Sequence, residues 1–378
     1  VEDISWLKPG KATFHWWSGD VLPDTTFEAG INFNFNKYYI DFCARNKIEY
    51  HTVIGNRGVA WYHNDGNEYQ PGPTTDITKP RQSLEIEKIC EYAKSKGVGI
   101  RFWVHWQALY PKIDTAFALF QKWGIAGMMV DFMDRDDQEM INIQQEILEK
   151  AAAHHLEIQF HGVSKPTGLN RTYPNESTRE GTLNYENNKW GILITPDDDI
   201  NVVFTRLLAG PTDYHLGGFK AMPAKDFKVQ YTKPHMLGTR CHMLAMYLVL
   251  ENSMSMLCDY PEAYENQPGF DILRKMPTTW DQTIVPAAEI NKSITIARRK
   301  SKDWYIGSIT NNEARETNLK LDFLGEGKYK ARIYSDSGET STDPNKLETR
   351  IIDVDRTMTI PVKMNAGGGH VIHIYPLD

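Results

Sequence analysis

Two apolar runs, Val98-Gly-Ile-Arg-Phe-Trp-Val104 and Ile125-Ala-Gly-Met-Met-Val130, flank an amphipathic stretch from Asp114 to Trp123. Short apolar runs of this kind predict buried strands, and the 3.6-residue periodicity between them predicts a helix. Gly124 follows that helix directly, at the position where a left-handed residue commonly ends one. The stretch therefore predicts a strand–helix–strand unit with two parallel strands.

The same alternation extends outward in both directions from this unit. It predicts further strands and helices at Thr13–Trp17, Ile48–Ile54, Leu84–Lys96, Gln138–His155 and Leu156–Phe160. Repeated units over residues 1–285 predict an α/β fold, a (β/α)8 barrel of the TIM type, since such barrels need about 250 residues or more. A doubly wound open sheet is the alternative, but no glycine-rich phosphate loop follows the first predicted strand.

The pattern changes in residues 286–378, where short alternating segments rich in β-forming residues are separated by polar turns. This sequence pattern predicts an antiparallel β-sandwich as a second domain. Because it contains no catalytic constellation, we interpret it as a packing domain. Its predicted strands are Ser293–Arg298, Trp304–Thr310, Thr317–Phe323, Tyr329–Tyr334, Thr349–Val354, Met358–Val362 and Gly369–Tyr375.

Composition argues against several classes of protein. The net charge is −7 and the positive charges are scattered, which argues against a nucleic-acid partner or an anionic membrane surface. The apolar stretch Met243–Leu250 is far shorter than the ~20 residues that span a bilayer. The 4 cysteines form no CxxC pair, so neither a disulfide nor a zinc scaffold is expected.

Barrel enzymes carry their reactive groups at the C-terminal ends of the strands. The residues that follow the predicted strands are aromatic, basic or acidic, a mixture that suits a sugar, whose ring faces stack on indoles while its hydroxyl groups form hydrogen bonds. For any one aromatic residue, packing in the core is an equally good explanation. These candidates for substrate binding are Trp16, Trp17, His105, Trp106, His161 and Lys165.

Asp131 is the most specific candidate, because it ends the fully apolar run Ala126–Val130. A carboxylate there is costly to bury unless it is paired or functional, although capping of the next helix is the alternative. Glu180 and Glu186 lie in a loop-rich segment where surface charge is the usual explanation. Two carboxyl groups flanking a bond suit glycoside hydrolysis, and a cluster of carboxylates also suits Ca²⁺.

An ordered set of segments resembles glycoside hydrolase family 97, from about Ser5 through the C-terminal sandwich. No single segment carries the resemblance alone. The segments are Ser5-Trp-Leu-Lys-Pro-Gly10, Val130-Asp-Phe-Met-Asp134, His161-Gly-Val-Ser-Lys-Pro-Thr-Gly168, Arg171-Thr-Tyr-Pro-Asn175 and Thr178-Arg-Glu-Gly181 with Glu186.

The resemblance implies an exported, Ca²⁺-dependent, exo-acting α-glycosidase of periplasmic or extracellular location. It implies Asp131 as the retaining nucleophile, Glu186 as the acid/base, and Glu180 with Glu186 as calcium ligands. The inverting branch of the family has a water-activating glutamate after the histidine of the fifth strand, where this chain has Gly162. The sequence therefore resembles the retaining branch, chiefly α-galactosidases. Retention predicts a separation of about 5–5.5 Å between the two catalytic carboxyl groups, against ~6.5–9.5 Å for inversion.

Alternatives within the family are a β-L-arabinopyranosidase and an α-glucosidase. A carbohydrate-binding protein without catalysis would be of another class, as would a metal-dependent hydrolase of a different bond, with Glu176, Glu180 and Glu186 plus a histidine holding the metal. The chain starts at Val1 rather than at a methionine and shows no signal-peptide pattern. With the resemblance, this start predicts that an N-terminal β-domain of the family, which would pack on the barrel, is missing here.

Overall fold

The computed structural model describes residues 2–191 and 193–377. These residues form two compact units that are discontinuous in sequence. The first contains residues 2–183, 209–215 and 252–262, and the second contains residues 184–191, 193–208, 216–251 and 263–377. Val1 and Asp378, the outer ends of the two predicted domains, lie outside the described residues, and the boundary at residues 285 and 286 stays a prediction.

The first unit is built on a seven-stranded sheet in the order β8-β7-β6-β5-β2-β1-β9. Every neighbouring pair in this sheet is parallel. Two further strands, β3 and β4, form a separate antiparallel pair. The strands are β1 (Gly10–Thr13), β2 (Tyr50–Val53), β3 (Tyr62–His63), β4 (Asp76–Pro80), β5 (Gly99–His105), β6 (Gly127–Asp131), β7 (Glu157–Phe160), β8 (Glu176–Arg179) and β9 (Met254–Leu257).

The two outer strands of this sheet approach each other and nearly close a barrel. The Ser253 hydroxyl, just before β9, donates to the carbonyl of Ser177 on β8 at 3.2 Å. Beside β8, Thr212 forms an isolated parallel bridge with Arg179, at the position of an eighth strand. The predicted barrel of the TIM type is confirmed, with seven regular strands and one position reduced to a single bridge.

Helices surround this barrel, and their ends follow local sequence chemistry. The Asn32 side chain caps α1 by accepting the Phe35 N–H at 2.9 Å, and Asp137 caps α5 by accepting the Met140 N–H at 3.1 Å. Gly124 ends α4 with the predicted left-handed conformation. The helices are α1 (Phe33–Asn46), α2 (Ile86–Ser95), α3 (Trp106–Leu109), α4 (Ile113–Trp123) and α5 (Gln138–Ala153), and α8 (Pro261–Tyr264) crosses the division between the units.

The second unit is the predicted antiparallel β-sandwich, with additional helices. A six-stranded sheet in the order β10-β11-β12-β17-β14-β15 and a two-stranded sheet of β13 and β16 enclose an apolar core that includes Ile306, Val362 and Ile372. Its elements are α6 (Pro196–Phe204), α7 (Arg240–Val249), α9 (Phe270–Leu273), β10 (Gln282–Glu289), β11 (Ser293–Lys300), β12 (Asp303–Thr310), β13 (Arg315–Lys320), β14 (Tyr329–Ser335), β15 (Glu348–Val354), β16 (Thr359–Met364) and β17 (Gly369–Pro376).

One predicted strand ends earlier in the structure, and one observed strand was not predicted. The strand predicted at residues 13–17 ends at Thr13, because the chain turns at His15, whose carbonyl accepts the Ser18 N–H at 3.2 Å. The apolar run continues through this turn, so hydrophobicity alone did not reveal the end of the strand. β10 was not predicted, because this edge strand is largely exposed and lacks an alternating pattern.

No helix within residues 2–191 and 193–377 combines the length and the apolar character needed to cross a membrane.

Candidate active site

The C-terminal ends of β5 and β6 bring His105 and Asp131 side by side. Parallel pairing places these two residues in direct register. His161 directly follows β7, the next strand of the sheet. Because parallel strands end at the same rim of a barrel, three of the predicted residues lie together at this rim.

Asp131 is buried, and hydrogen bonds hold its carboxyl group from two directions. Its Oδ2 accepts the indole N–H of Trp103 at 2.9 Å. Its Oδ1 accepts the backbone N–H of Phe132, a residue in the left-handed region at φ 65°. Both donors favour the ionised carboxylate and fix its orientation, which is the state that a carboxylate nucleophile needs.

Gly162 lies directly against this carboxylate. Its backbone has φ +51°, and a Cβ atom there would lie 2.8 Å from Asp131 Oδ1 and 2.9 Å from the Phe132 nitrogen. Its N–H donates to Glu180 Oε2 at 2.8 Å. The backbone of residue 162 thus contacts both predicted carboxylates of the first unit, and no room remains for a side chain.

His161 is held between two carboxyl groups. Its Nδ1 lies 2.8 Å from Asp213 Oδ2, and its Nε2 lies 3.4 Å from Glu180 Oε1. The ring also stacks on His215, with the ring centres 4.9 Å apart. A hydrogen bond from Nδ1–H to Asp213 fixes the orientation of the ring and directs Nε2 to Glu180.

A polar chain inside the barrel supports Asp213. The Gln159 amide donates to Asp213 Oδ1 at 2.8 Å and accepts from the Arg101 guanidinium at 3.0 Å. Arg101 also pairs with Glu157. Burial raises the pKa of Glu157, and the Arg101 charge opposes this rise. The buried arginine therefore anchors the groups that orient His161.

His105 acts as a neutral structural ring at the rim. Its Nδ1 accepts the Gln107 N–H at 3.1 Å at the start of α3, and its ring stacks on Phe132 at 5.0 Å. Burial lowers the pKa of His105 to about 4, although a hydrogen bond to the Tyr69 backbone opposes this shift. Trp106 follows and is half-buried.

The other predicted aromatic and basic residues have different environments. Trp16 is half-buried, its indole N–H donates to the Tyr69 hydroxyl at 3.4 Å, and its ring meets the edge of His215 at 5.8 Å. Trp17 is 0% exposed and belongs to the core, so its predicted role in stacking on substrate is wrong. Lys165 is exposed on the loop after β7, where its backbone packs against Gly181.

The two predicted calcium ligands fall in different units. Glu180 is buried in the first unit, beside Gly162 and His161. Glu186 belongs to the second unit and lies on a 3-10 turn, Tyr185–Lys189, where its N–H donates to Asn184 Oδ1 at 3.0 Å. The metal-binding and acid/base roles of these residues stay predictions.

Sequence reasoning missed four residues at this rim: Asp213, His215, Glu68 and Tyr69. The first two lie in the buried segment 211–215, which contains no apolar run and forms only a bridge rather than a strand. The other two lie in the loop between β3 and β4, away from the ends of the predicted strands. The sequence signal for Glu68 was an acidic residue within a glycine-rich loop.

Comparisons with known proteins agree with this geometry. A model of the family glycoside hydrolase 97 matches residues 16–182, and a model described as glycosyl-hydrolase 97 C-terminal, oligomerisation, matches residues 279–375. A retaining alpha-galactosidase of Bacteroides thetaiotaomicron is 33% identical over 99% of this chain and 55% of its own length. The chain thus spans about half the length of this curated relative.

Solved structures show the same relationship. A glycoside hydrolase family 97 enzyme from Pseudoalteromonas sp. strain K8, in complex with panose, is 27% identical with a TM-score of 0.87, over 100% of this chain and 62% of that chain. A beta-arabinopyranosidase structure with 21% identity and a TM-score of 0.76, over 97% of this chain and 56% of that chain, shares the fold. Two models of one family match most of the chain in the order barrel then sandwich, and this chain belongs to glycoside hydrolase family 97.

Proposed function

We propose that this chain is the catalytic part of an exo-acting retaining α-galactosidase, with Asp131 as nucleophile and Glu186 as acid/base. One observation carries the proposal: a buried, oriented carboxylate ends β6, and Gly162, which has no side chain, lies directly against it. The family resemblance implies that the inverting branch has its water-activating glutamate at this position. A side chain at residue 162 would displace Asp131, so this backbone suits one carboxylate that attacks the sugar itself. The relative named a retaining alpha-galactosidase supports the same assignment.

The proposed reaction is a double displacement. The Asp131 carboxylate attacks the anomeric carbon of a terminal α-galactoside, and the bond to the leaving oxygen breaks as Glu186 gives that oxygen its proton. This step forms a β-linked glycosyl–Asp131 ester. Glu186 then removes a proton from water, the water oxygen attacks the anomeric carbon, and Asp131 leaves as a carboxylate. The released sugar keeps the α-configuration.

The rim residues would bind the terminal sugar. Trp16 and Trp106 offer half-buried indole rings for its apolar face, and His161 and Lys165 are the polar side chains proposed to lie near its hydroxyl groups. The buried, neutral His105 would contribute through its stacking on Phe132.

Calcium and export belong to the same proposal. Glu180 provides a buried carboxylate, the kind of oxygen ligand that Ca²⁺ binds, so this residue fits the ion; Glu186 is the second proposed ligand. A bound Ca²⁺ would supply positive charge that orients substrate hydroxyl groups. Calorimetry with Ca²⁺ should show weaker binding by Glu180→Gln. Periplasmic or extracellular location rests on the resemblance to exported members of the family.

A substrate screen with stereochemical readout tests the activity. Aryl α-galactoside, α-glucoside and β-L-arabinopyranoside are each incubated with and without Ca²⁺, and the first sugar released is identified by proton NMR. We expect the α-galactoside to be cleaved fastest and α-galactose to appear first. Release of the β-anomer would contradict retention, and preference for another glycoside would change the substrate.

Azide rescue tests the nucleophile. Asp131→Gly removes the carboxylate, and azide in the vacated space should restore turnover and yield β-galactosyl azide. Asp136→Gly, at an exposed position of the same loop, is the matched control and should need no azide. An active Asp131→Gly variant without azide would rule out this nucleophile.

A further inference from the structure

Glu68 is a buried carboxyl group in the loop between β3 and β4. Its side chain is 1% exposed, and neither of its carboxyl oxygens forms a hydrogen bond of normal geometry with any described residue. A Cβ atom on Gly55 would fall 2.1 Å from Glu68 Oε1, so the carboxyl group packs directly on the backbone that follows β2. The Glu68 N–H donates to the Gly58 carbonyl at 2.8 Å and holds the loop there.

The groups around Glu68 oppose its ionisation. Burial raises the pKa of Glu68 to about 8, the negative charges of Asp20 and Asp131 add to the rise, and the Gly55 N–H partly opposes it. Burial also raises the pKa of the neighbouring Tyr62 on β3, and a negative charge on Glu68 would raise it further. Glu68 is therefore a neutral acid at pH 7.

Two histidines are among the ionisable groups near this loop. His15 Nδ1 lies 2.6 Å from Asp20 Oδ1. His105 reaches the loop through the backbone of Tyr69 and stays neutral because burial lowers its pKa to about 4.

Tyr69, the residue after Glu68, forms part of the rim next to Asp131. Its hydroxyl accepts the Trp16 indole N–H at 3.4 Å, and its ring lies 6.1 Å from the ring of Phe132, the neighbour of Asp131. Its backbone also bonds to His105. The loop tip Asn64–Gly72 thus contacts residues at the ends of β1, β5 and β6 through one tyrosine.

We propose that Glu68 is a positioning residue: its neutral carboxyl group keeps the loop tip Asn64–Gly72, and with it Tyr69, docked beside Asp131, and loss of its proton releases the loop. A buried carboxylate that forms no hydrogen bond of normal geometry is strongly unfavourable, so the ionised side chain must reach water. Release of the loop removes Tyr69 from the wall of the sugar site. The catalytic part of this inference rests on the proposed function, whereas release of the loop does not.

The pH profile of kcat/KM with α-galactosyl fluoride tests the catalytic part. Fluoride leaves with little need of a proton donor, so the alkaline limb that Glu186 would impose is suppressed, and the remaining limb reports other groups of the free enzyme. We expect the wild type to lose activity above about pH 8, and Glu68→Gln, which keeps a neutral side chain, to move this limb upward by more than about one pH unit. Glu87→Gln, exposed on α2, is the control and should keep the wild-type limb.

Hydrogen-exchange mass spectrometry of residues 64–72 tests the release of the loop without any assay of activity. After correction for intrinsic rates, protection in the wild type should fall between about pH 6.5 and about pH 9, whereas Glu68→Gln should stay protected. Protection that does not change with pH in the wild type would overturn the inference, as would an alkaline limb shared by Glu68→Gln and wild type. An enzyme inactive on every galactoside but with the expected exchange would refute the proposed function and leave the loop mechanism supported.

Discussion

Gly162 has no side chain, and this absence leaves room for Asp131. Its Cα position lies so close to Asp131 that a Cβ atom would meet Oδ1 at 2.8 Å. A glutamate at residue 162 and the observed Asp131 therefore exclude each other on this backbone. Under the proposed function, this close approach favours Asp131 over a carboxylate at residue 162.

Gly162→Ala should lower kcat/KM by about 100-fold, because a carboxylate displaced by about 1 Å no longer meets the anomeric carbon correctly. The measurement is steady-state kinetics on aryl α-galactoside. Gly168→Ala is the matched control, since Gly168 also has a left-handed φ, of +93°, but its Cβ would meet nothing within 4 Å. Equal losses in both variants would mean that backbone strain, rather than contact with Asp131, causes the effect.

Trp103→Phe should lower kcat/KM by about tenfold, because Asp131 Oδ2 loses the indole N–H that helps to orient it. Steady-state kinetics on aryl α-galactoside measure the loss. Trp123→Phe on α4 is the control, and an unchanged kcat/KM in Trp103→Phe would show that this hydrogen bond does not orient Asp131.

At the residue scale, the sequence predicted some of the rim and not the rest. Asp131 and His161 were found because each follows an apolar run, and strand ends meet at one rim. Asp213 has no such run before it, since its segment forms only a bridge. Trp17 also follows a predicted strand, but its side chain lies in the core. The chain turns at His15, and only one of the two adjacent indoles can face the rim.

At the scale of single elements, local chemistry determined where helices begin. α5 starts directly after Asp137, whose side chain accepts the Met140 N–H, and the acidic run before it led to this prediction. The loop between β6 and α5 begins with Phe132, whose N–H donates to Asp131. The Asp137 cap fixes the other end of this loop. β10 carries no alternating pattern in its sequence, because an exposed edge strand has no buried face to produce one.

Asp137→Ala should destabilise the first unit by about 1 kcal/mol, the usual cost of losing a capping side chain. Urea unfolding followed by tryptophan fluorescence measures this loss as a lower midpoint. Asp136→Ala removes an exposed carboxylate one residue earlier and should change the midpoint little. If both variants unfold at the same urea concentration, the cap does not stabilise α5.

At the scale of the whole molecule, the fold class followed from periodicity, whereas the clustering of two helices with the second unit did not. Alternating strands and helices indicate a barrel, and short alternating segments indicate a sandwich. Yet α6 and α7 cluster with the second unit although they precede the sandwich in sequence. Gly307 explains part of this: it has no side chain, and a Cβ there would lie 2.9 Å from Leu248 Cβ, so α7 packs closely on β12. Such tertiary contacts leave no periodic trace in the sequence.

Glu68 also makes the stability of the whole molecule depend on pH. Its pKa is about 8 in the folded protein against an ordinary value of 4.5, so its contribution to stability is complete below about pH 4.5 and is lost as the pH rises to about 8. At 1.4 kcal/mol for each pKa unit, the ceiling of this loss is ~5 kcal/mol, and local release of the loop reduces it.

Glu68→Gln has no such proton, so its Tm should exceed that of the wild type by a margin that grows from about pH 5 to about pH 8 and then stays constant. Titrating groups that do not interact with Glu68 contribute equally to both proteins and cancel in the difference. Differential scanning calorimetry across this range measures the margin, and a margin that is the same at every pH would show that Glu68 is ionised in the folded protein.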